Sequence, residues 1–318
     1  MALPARRHLF WFVGATVFGI FALAYRRIGR SRRVLKRAVH RPPGVANVGN
    51  TCYLGSALQL LSSSPVLRRH FDRFGHVVAA ELNALLSQLN SPAVGKPILS
   101  PNALIRAISK DGFNAMQQDS HEFLIALLRL FQRPSNPGLA AAYSRERLSP
   151  FQLNPVSGYI VNEFCCPNSA AHGIKSFFSM EPMQIVTVYE GSSVAKELFG
   201  QCRLPDYRMS SCKCGLGAVR IRRRLVLPTV LIVHNALLGA AYRKGRHVLQ
   251  LHLQLQDKRY ELRAFIVHIG PSGHAGHYVA YRRMGGIWWL CNDAQVRQVS
   301  ADALQLCSPY LLLYEQDH

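Results

Sequence analysis

Apolar side chains recur at Leu54, Ala57, Leu58 and Leu61, the i, i+3, i+4, i+7 spacing of one helix face. The stretch before them, Gly44-Val-Ala-Asn-Val-Gly-Asn50, is rich in loop formers. The pattern therefore predicts a helix that begins at Thr51-Cys52 and is stopped by Pro65. The same period returns at 77–89, 103–108 and 122–131, with turn clusters at Asn90-Ser-Pro92 and Pro134-Ser-Asn-Pro-Gly138. Residues 53–130 thus read as mostly helical. From about residue 158 the pattern changes, and strands are predicted over 159–164, 184–189, 219–225, 230–234, 248–255, 260–268, 278–281 and 288–291. Helices first and strands second predict one α+β domain, a helical half packed on an antiparallel sheet with a cleft between the layers.

One apolar run belongs to neither layer. Residues 9–25 carry no charge, and 17 residues of helix span roughly 25 Å, within the range that crosses a bilayer. Residues 1–41 hold ten Arg and Lys and no acid, and seven of the ten fall between Arg26 and Arg37. Positive-inside logic places that cluster, and all that follows, on the cytosolic side. A secretory signal cleaved after Ala22-Leu23-Ala24 is the rival reading. The length of the run and the basic cluster after it favour a retained anchor. A short anchor with a basic flank has the form used at the mitochondrial outer membrane, although the same flank suits the endoplasmic reticulum or a lipid droplet. The chain is thereby expected to divide into an anchor, 1–41, and a globular domain, 42–318.

Composition adds three points. The net charge of +21 is partly local, since residues 42–318 keep 28 basic against 17 acidic side chains. A nucleic-acid partner is not expected, because the basic cluster adjoins the anchor and no module of stacking aromatics is present. The eight cysteines form no disulfide framework, which suits a reducing compartment. Cys165-Cys166 and Cys212-Lys-Cys214 look like metal ligands or their remnants.

Candidate chemistry starts at Cys52. A thiol at a helix N-terminus meets unpaired amides and the positive end of the dipole, which lower a cysteine pKa and favour the nucleophilic thiolate. Its base should be a histidine held at a sheet edge. Of the thirteen histidines, His277 stands where Gly270-Pro-Ser-Gly-His-Ala-Gly276 runs into an alternating strand, and His274 in the same loop competes with it. Beyond a turn at Gly285-Gly286, Asn292 and Asp293 could orient the imidazole, or could merely open the next turn.

Three islands in this order carry a resemblance that spans residues 44 to about 317: Gly44 to Gln59, Met116-Gln-Gln-Asp-Ser-His-Glu-Phe-Leu124, and Gly276-His-Tyr-Val-Ala-Tyr281 followed by Trp289-Leu-Cys-Asn-Asp293. They resemble the ubiquitin-specific proteases, a branch of the papain-like cysteine proteases. Leu227-Pro-Thr-Val-Leu-Ile-Val-His234 is similar to the strand that precedes the family's histidine region. The resemblance implies a helical thumb-like half on an antiparallel palm-and-fingers half. It implies Cys52 as nucleophile, His277 as general base and acid, Asn292 as the orienting group and Asn47 as an oxyanion donor, with Asp293 in possible support. It places Gln117, Asp119 and Glu122 along a channel for the arginine-rich tail of ubiquitin.

The implied reaction is cleavage of the Gly–Lys isopeptide bond at the C-terminus of ubiquitin, with no cofactor. The implied partners are ubiquitin and ubiquitinated proteins, and the membrane through the N-terminal helix. Anchor and islands together imply a family member on the mitochondrial outer membrane that opposes mitophagy. Departures are plain: Asn292 stands where the family usually has aspartate, and Gly55 where it has asparagine. Neither cysteine pair keeps the Cys-x-x-Cys spacing of the family's zinc site, so no bound metal is expected. The alternative is a membrane-anchored scaffold that binds ubiquitin without turnover.

Overall fold

A computed structural model describes residues 41–91, 98–109, 118–131, 154–165, 177–189, 191–200, 220–236, 249–272 and 275–317. The apolar run at 9–25 lies outside these residues, as do Gln117, His274, Cys166, Cys202, Cys212 and Cys214. Among the described residues no helix is long and apolar enough to cross a membrane, and no three side chains are grouped to hold a metal.

The described chain opens with β1 (Gly44–Val45), and α1 (Cys52–Ser62), α2 (Pro65–Phe71) and α3 (Val77–Asn90) follow. Next come β2 (Ile98–Leu99), parallel to β1, then α4 (Asn102–Ser109) and α5 (Ser120–Leu130). Every residue of α1 is buried, so the helix that begins at Cys52 is the central one of its layer. Pro65 ends the apolar run of α1 but also starts α2, where its missing N–H is no loss and Ser64 Oγ accepts from Leu67 N at 3.2 Å. Helix α5 starts at Ser120, two residues before its apolar period, because Asp119 accepts from the N–H groups of His121 and Glu122.

The strand half contains β3 (Gly158–Cys165), β4 (Phe177–Met183), β5 (Ile185–Val188), α6 (Val194–Gly200), β6 (Arg220–Val226), β7 (Val230–Asn235) and β8 (His252–Leu255). It continues with β9 (Lys258–Ser272), β10 (Ala275–Met284), β11 (Ile287–Asn292), β12 (Gln295–Val299), α7 (Ala301–Leu304) and β13 (Leu311–Gln316). The main sheet has the order β12-β11-β10-β9-β13-β7-β5 with β8 on β9, and β4-β3-β6 form a separate antiparallel sheet. Within the main sheet the β5–β7 pair alone is parallel. The strand predicted over 248–255 shortens to His252–Leu255, since Leu249 and Leu251 pack into the core ahead of it.

The sheet buries both faces. Val230, Ile232, Leu311 and Leu313 join α1, α3 and α5 in one core, while Leu231, Val233, Leu312 and Tyr314 join Leu198 and Leu304 in another. That two-sided burial explains why β13 reads as an unbroken apolar run rather than an alternating one. Tyr278 and Ala280 of β10 belong to the helix-side core with Cys52. The start of α1 and the start of β10 therefore meet at one end of the interface between the layers.

Candidate active site

Cys52 is the first residue of α1 and is 3% exposed. The loop before it turns through two left-handed residues, Gly49 (φ 100°) and Asn50 (φ 56°). Asn47 holds that loop in shape: its Oδ1 accepts from Thr51 N at 3.0 Å and from Thr51 Oγ1 at 3.3 Å. Thr51 Oγ1 in turn accepts from Val48 N at 3.0 Å. With its oxygen so committed, the Asn47 amide points its Nδ2 toward Asp293 Oδ2, 3.0 Å away. One of its two N–H groups donates to that carboxylate, and the second is left for another acceptor.

His277 lies near the start of β10 and is half-buried. The hairpin to β11 pairs Met284 with Ile287 across Gly285 (φ 62°) and Gly286 (φ 80°), the two-residue turn that a right-twisted hairpin favours. This register brings Asn292 back beside His277, with His277 Nε2 and Asn292 Oδ1 2.7 Å apart. Because the partner is a carbonyl oxygen, Nε2 is the donor in this bond and Nδ1 is the ring nitrogen not engaged by it. Asp293 then turns the chain with φ 50°, a conformation aspartate tolerates better than most residues. Strand β1 braces this turn: Val45 N donates to Asp293 O at 3.0 Å, and a Cβ on Gly44 would lie 2.5 Å from Ala294 O. Asn47 is thus tied to Asp293, and His277 to Asn292, at the turn that β1 braces.

The electrostatics correct one expectation. Burial pushes the Cys52 thiol above its usual range. Backbone hydrogen bonds from Tyr278, Tyr53 and Cys52 pull it back only in part, and the Asp293 charge raises it further. The helix N-terminus does supply amides, but the loss of solvent outweighs them. The sulfur's bond with the backbone of Tyr278 places it against the residue next to His277.

Of the predicted tail-binding residues, Gln117 is outside the described set and Glu122 is exposed on the first turn of α5. Asp119 is 7% exposed and faces inward. Besides capping α5, its carboxylate accepts from Tyr310 Oη at 2.7 and 2.8 Å and from Tyr278 Oη at 3.4 Å. It therefore ties α5 to β10 and to the residue just before β13. Tyr278 follows His277 in sequence, whereas nothing local marks Tyr310. Gly276 is needed where it stands, since a Cβ there would lie 2.4 Å from His268 Nε2. Gly55 sits under Val45 with ordinary room for a methyl at 3.6 Å.

A helical layer whose central helix starts at a cysteine, packed on a mostly antiparallel sheet that carries a histidine, is the arrangement of the papain-like class of fold. Within it, the chain belongs to the ubiquitin carboxyl-terminal hydrolase family, whose model matches residues 43–314. Ubiquitin carboxyl-terminal hydrolase 23 of Arabidopsis thaliana is 25% identical over 338 residues, covering 93% of this chain and 36% of its own length. Ubiquitin carboxyl-terminal hydrolase 11 of Schizosaccharomyces pombe is 28% identical, covering 98% of this chain and 95% of its own. The chain spans about a third or less of several other relatives, such as 28% of ubiquitin carboxyl-terminal hydrolase 36 of Drosophila erecta. Among solved structures, the SAGA DUB module bound to ubiquitin aldehyde has a chain of similar fold, with a TM-score of 0.61 at 18% identity. That match covers 94% of this chain and 75% of the other.

Proposed function

We propose that the chain is a deubiquitinating thiol isopeptidase that cleaves the bond between the terminal glycine of ubiquitin and a lysine amine. The observation that carries this reading is the 2.7 Å contact of His277 Nε2 with Asn292, made where the Cys52 sulfur meets the backbone of Tyr278. Cys52 Sγ attacks the glycine carbonyl carbon while its proton passes to His277 Nδ1. The carbonyl oxygen becomes an oxyanion facing the free N–H of Asn47 and backbone amides at the start of α1. His277 returns the proton to the lysine nitrogen as the C–N bond breaks, leaving a thioester. Water, deprotonated by His277, then releases ubiquitin and restores the thiol.

Asn292 orients the imidazole but adds no charge, so the imidazolium is stabilised less than by a carboxylate. Exposed Glu122 and the channel beside α5 receive the basic tail of ubiquitin. A chain of similar fold is solved in a module bound to ubiquitin aldehyde, which supports ubiquitin as the ligand. Residues 9–25 anchor the enzyme with its catalytic domain in the cytosol. The mitochondrial outer membrane is its site, and removal of ubiquitin there opposes mitophagy.

The buried thiol with its raised pKa favours one rival, a ubiquitin-binding scaffold without turnover. Ubiquitin-propargylamide separates the two. The full chain in detergent should become covalently labelled and lose labelling as Cys52→Ala; an unlabelled parent chain leaves the scaffold. Imaging residues 1–41 fused to a fluorescent protein tests the location, and a reticular pattern would refute the mitochondrial assignment.

A further inference from the structure

Arg282 lies on β10, five residues beyond His277, and is 1% exposed. Its guanidinium makes four hydrogen bonds inside the protein. Nη1 donates to Gln59 Oε1 at 3.1 Å, Ser62 Oγ at 2.6 Å and Leu89 O at 3.3 Å, and Nη2 donates to Asn90 Oδ1 at 2.7 Å. Every one of these acceptors is neutral. Among the described residues no carboxylate lies within ion-pair distance of it.

A buried cation without a counterion is costly unless something else supplies negative potential. Here two helix ends do. Gln59 and Ser62 belong to the last turn of α1, and Leu89 and Asn90 to the last turn of α3. Each C-terminus carries roughly half a negative charge, so the two together approximate the missing anion. Asn90 locks the pair further, since its Nδ2 donates to Ser62 O at 2.9 Å and Leu86 O at 2.8 Å.

The partners of Arg282 are not scattered over the fold. Helix α1 begins at Cys52, and β10 carries His277. Gln59 uses its other end to donate from Nε2 to Pro43 O at 2.8 Å, beside Gly44, which presses on the Ala294 turn. One side chain therefore links the nucleophile's helix, the histidine's strand and the segment that braces Asn292 and Asp293. Arg283, its neighbour, alternates to the other face and pairs with Glu261. It reaches none of these elements.

We infer that Arg282 is a positioning residue, holding α1 and β10 in the one register that sets Cys52 against the start of the His277 strand. The inference rests on Cys52 and His277 being the reacting pair. Loss of the tie lets α1 shift along β10 and lengthens the bond between the sulfur and the Tyr278 backbone. That bond stabilises the thiolate, so the apparent thiol pKa rises and turnover falls while ubiquitin binding is kept.

The test uses the full chain in detergent at a temperature where circular dichroism shows each variant folded. Iodoacetamide labelling of Cys52, resolved by peptide mass spectrometry across pH, reads the thiol without any ubiquitin. Arg282→Met should move the labelling profile to higher pH and lower kcat about 10²-fold, the scale set by a misplacement near 1 Å, with KM unchanged. Arg282→Lys keeps the charge but not the planar fork, and should recover only part of both effects. Ser62→Ala removes the 2.6 Å bond with little risk to folding, and should move the profile in the same direction by less.

A folded Arg282→Met protein with parental profile and kcat overturns the inference, leaving Arg282 a stabilising residue only. Full recovery by Arg282→Lys overturns it too, because charge would then suffice without position. Should neither arginine variant fold, a parental profile in Ser62→Ala decides against it. If the parent chain turns over no ubiquitin, the labelling profiles still judge the positioning role, while the hydrolase reading fails separately.

Discussion

Replacing Asn47 with alanine removes a side chain whose amide is fixed at both ends. Its oxygen is committed to Thr51 N and Oγ1, and one N–H is committed to Asp293, so the remaining N–H points in a direction set before substrate arrives. A preorganised donor of this kind is worth roughly 2.7–4 kcal/mol to an oxyanion, which is about 10²–10³ in kcat. The structural loss is smaller. Asn47 is exposed and leaves no cavity, so the folded state forgoes chiefly the 3.0 Å bond from Thr51 N, worth ~1 kcal/mol. The two effects are thus far enough apart to be told from each other.

Hydrolysis of a ubiquitin–fluorophore conjugate by the full chain in detergent gives kcat and KM, and a thermal melt gives stability. The expected result is a fall in kcat of about 10²–10³ with KM changed less than about threefold, since ground-state binding does not use the oxyanion donor. A variant that melts earlier yet keeps kcat within about fivefold of the parent would refute the assignment, because the loss of Thr51's partner would then be the whole role of Asn47.

Asp293→Asn keeps an acceptor for Asn47 Nδ2 and a residue type tolerant of φ 50°, but removes the charge that raises the Cys52 thiol. The pH profile of Cys52 alkylation should move to lower pH, and an unmoved profile contradicts the electrostatic account. Gly44→Ala would place a Cβ 2.5 Å from Ala294 O and should destabilise the chain by roughly 1–3 kcal/mol while lowering kcat. Gly55→Ala, with 3.6 Å of room inside α1, should instead stabilise it by about 0.5–1 kcal/mol, and melts of the two variants check the contrast. His234 stacks on His121 at 3.8 Å and is held to a pKa of about 4 by burial first and by the neighbouring ring second. Its folded pKa lies below the unfolded 6.5, so the unfolded chain binds the proton first. Stability is therefore complete above about pH 6.5 and falls by up to about 3 kcal/mol as pH drops toward 4. Denaturant melts from pH 7.5 to 5 should show this decline less steeply in His234→Gln.

The residues that were legible from sequence are those whose position follows from local grammar. Loop formers before an apolar period put Cys52 at a helix start, and Gly285-Gly286 set the hairpin that returns Asn292 to His277. Partners chosen by packing across the layers were not legible. Asp119 caps α5 through its near neighbours, but Tyr310, its strongest partner, is 191 residues away and carries no local mark. The pair Arg282-Arg283 carries no local mark of burial, although strand alternation sends one of them inward. Acceptors at the C-terminal turns of two helices receive that inward cation, and helix ends converge in space rather than in sequence.

The same division separates the two influences on the Cys52 thiol. A helix N-terminus is a local feature and favours the thiolate by about 0.3–1 kcal/mol where exposed, up to ~2 kcal/mol in partly buried settings. Burial depends on the whole fold, can move a pKa by several units, and at 3% exposure it prevails. The consequence is mechanistic. In the proposed reaction the thiol has to pass its proton to a base, and the 2.7 Å bond of Nε2 with Asn292 makes Nδ1 the nitrogen of His277 assigned to that step. Asp293 shows the opposing demand: the carboxylate that holds Asn47 Nδ2 also disfavours the thiolate. An amide at 292 in place of a second carboxylate keeps that penalty from doubling. Asn292→Asp should therefore strengthen the imidazolium and weaken the thiolate together, raising the pH at which activity appears without a matching gain in its plateau.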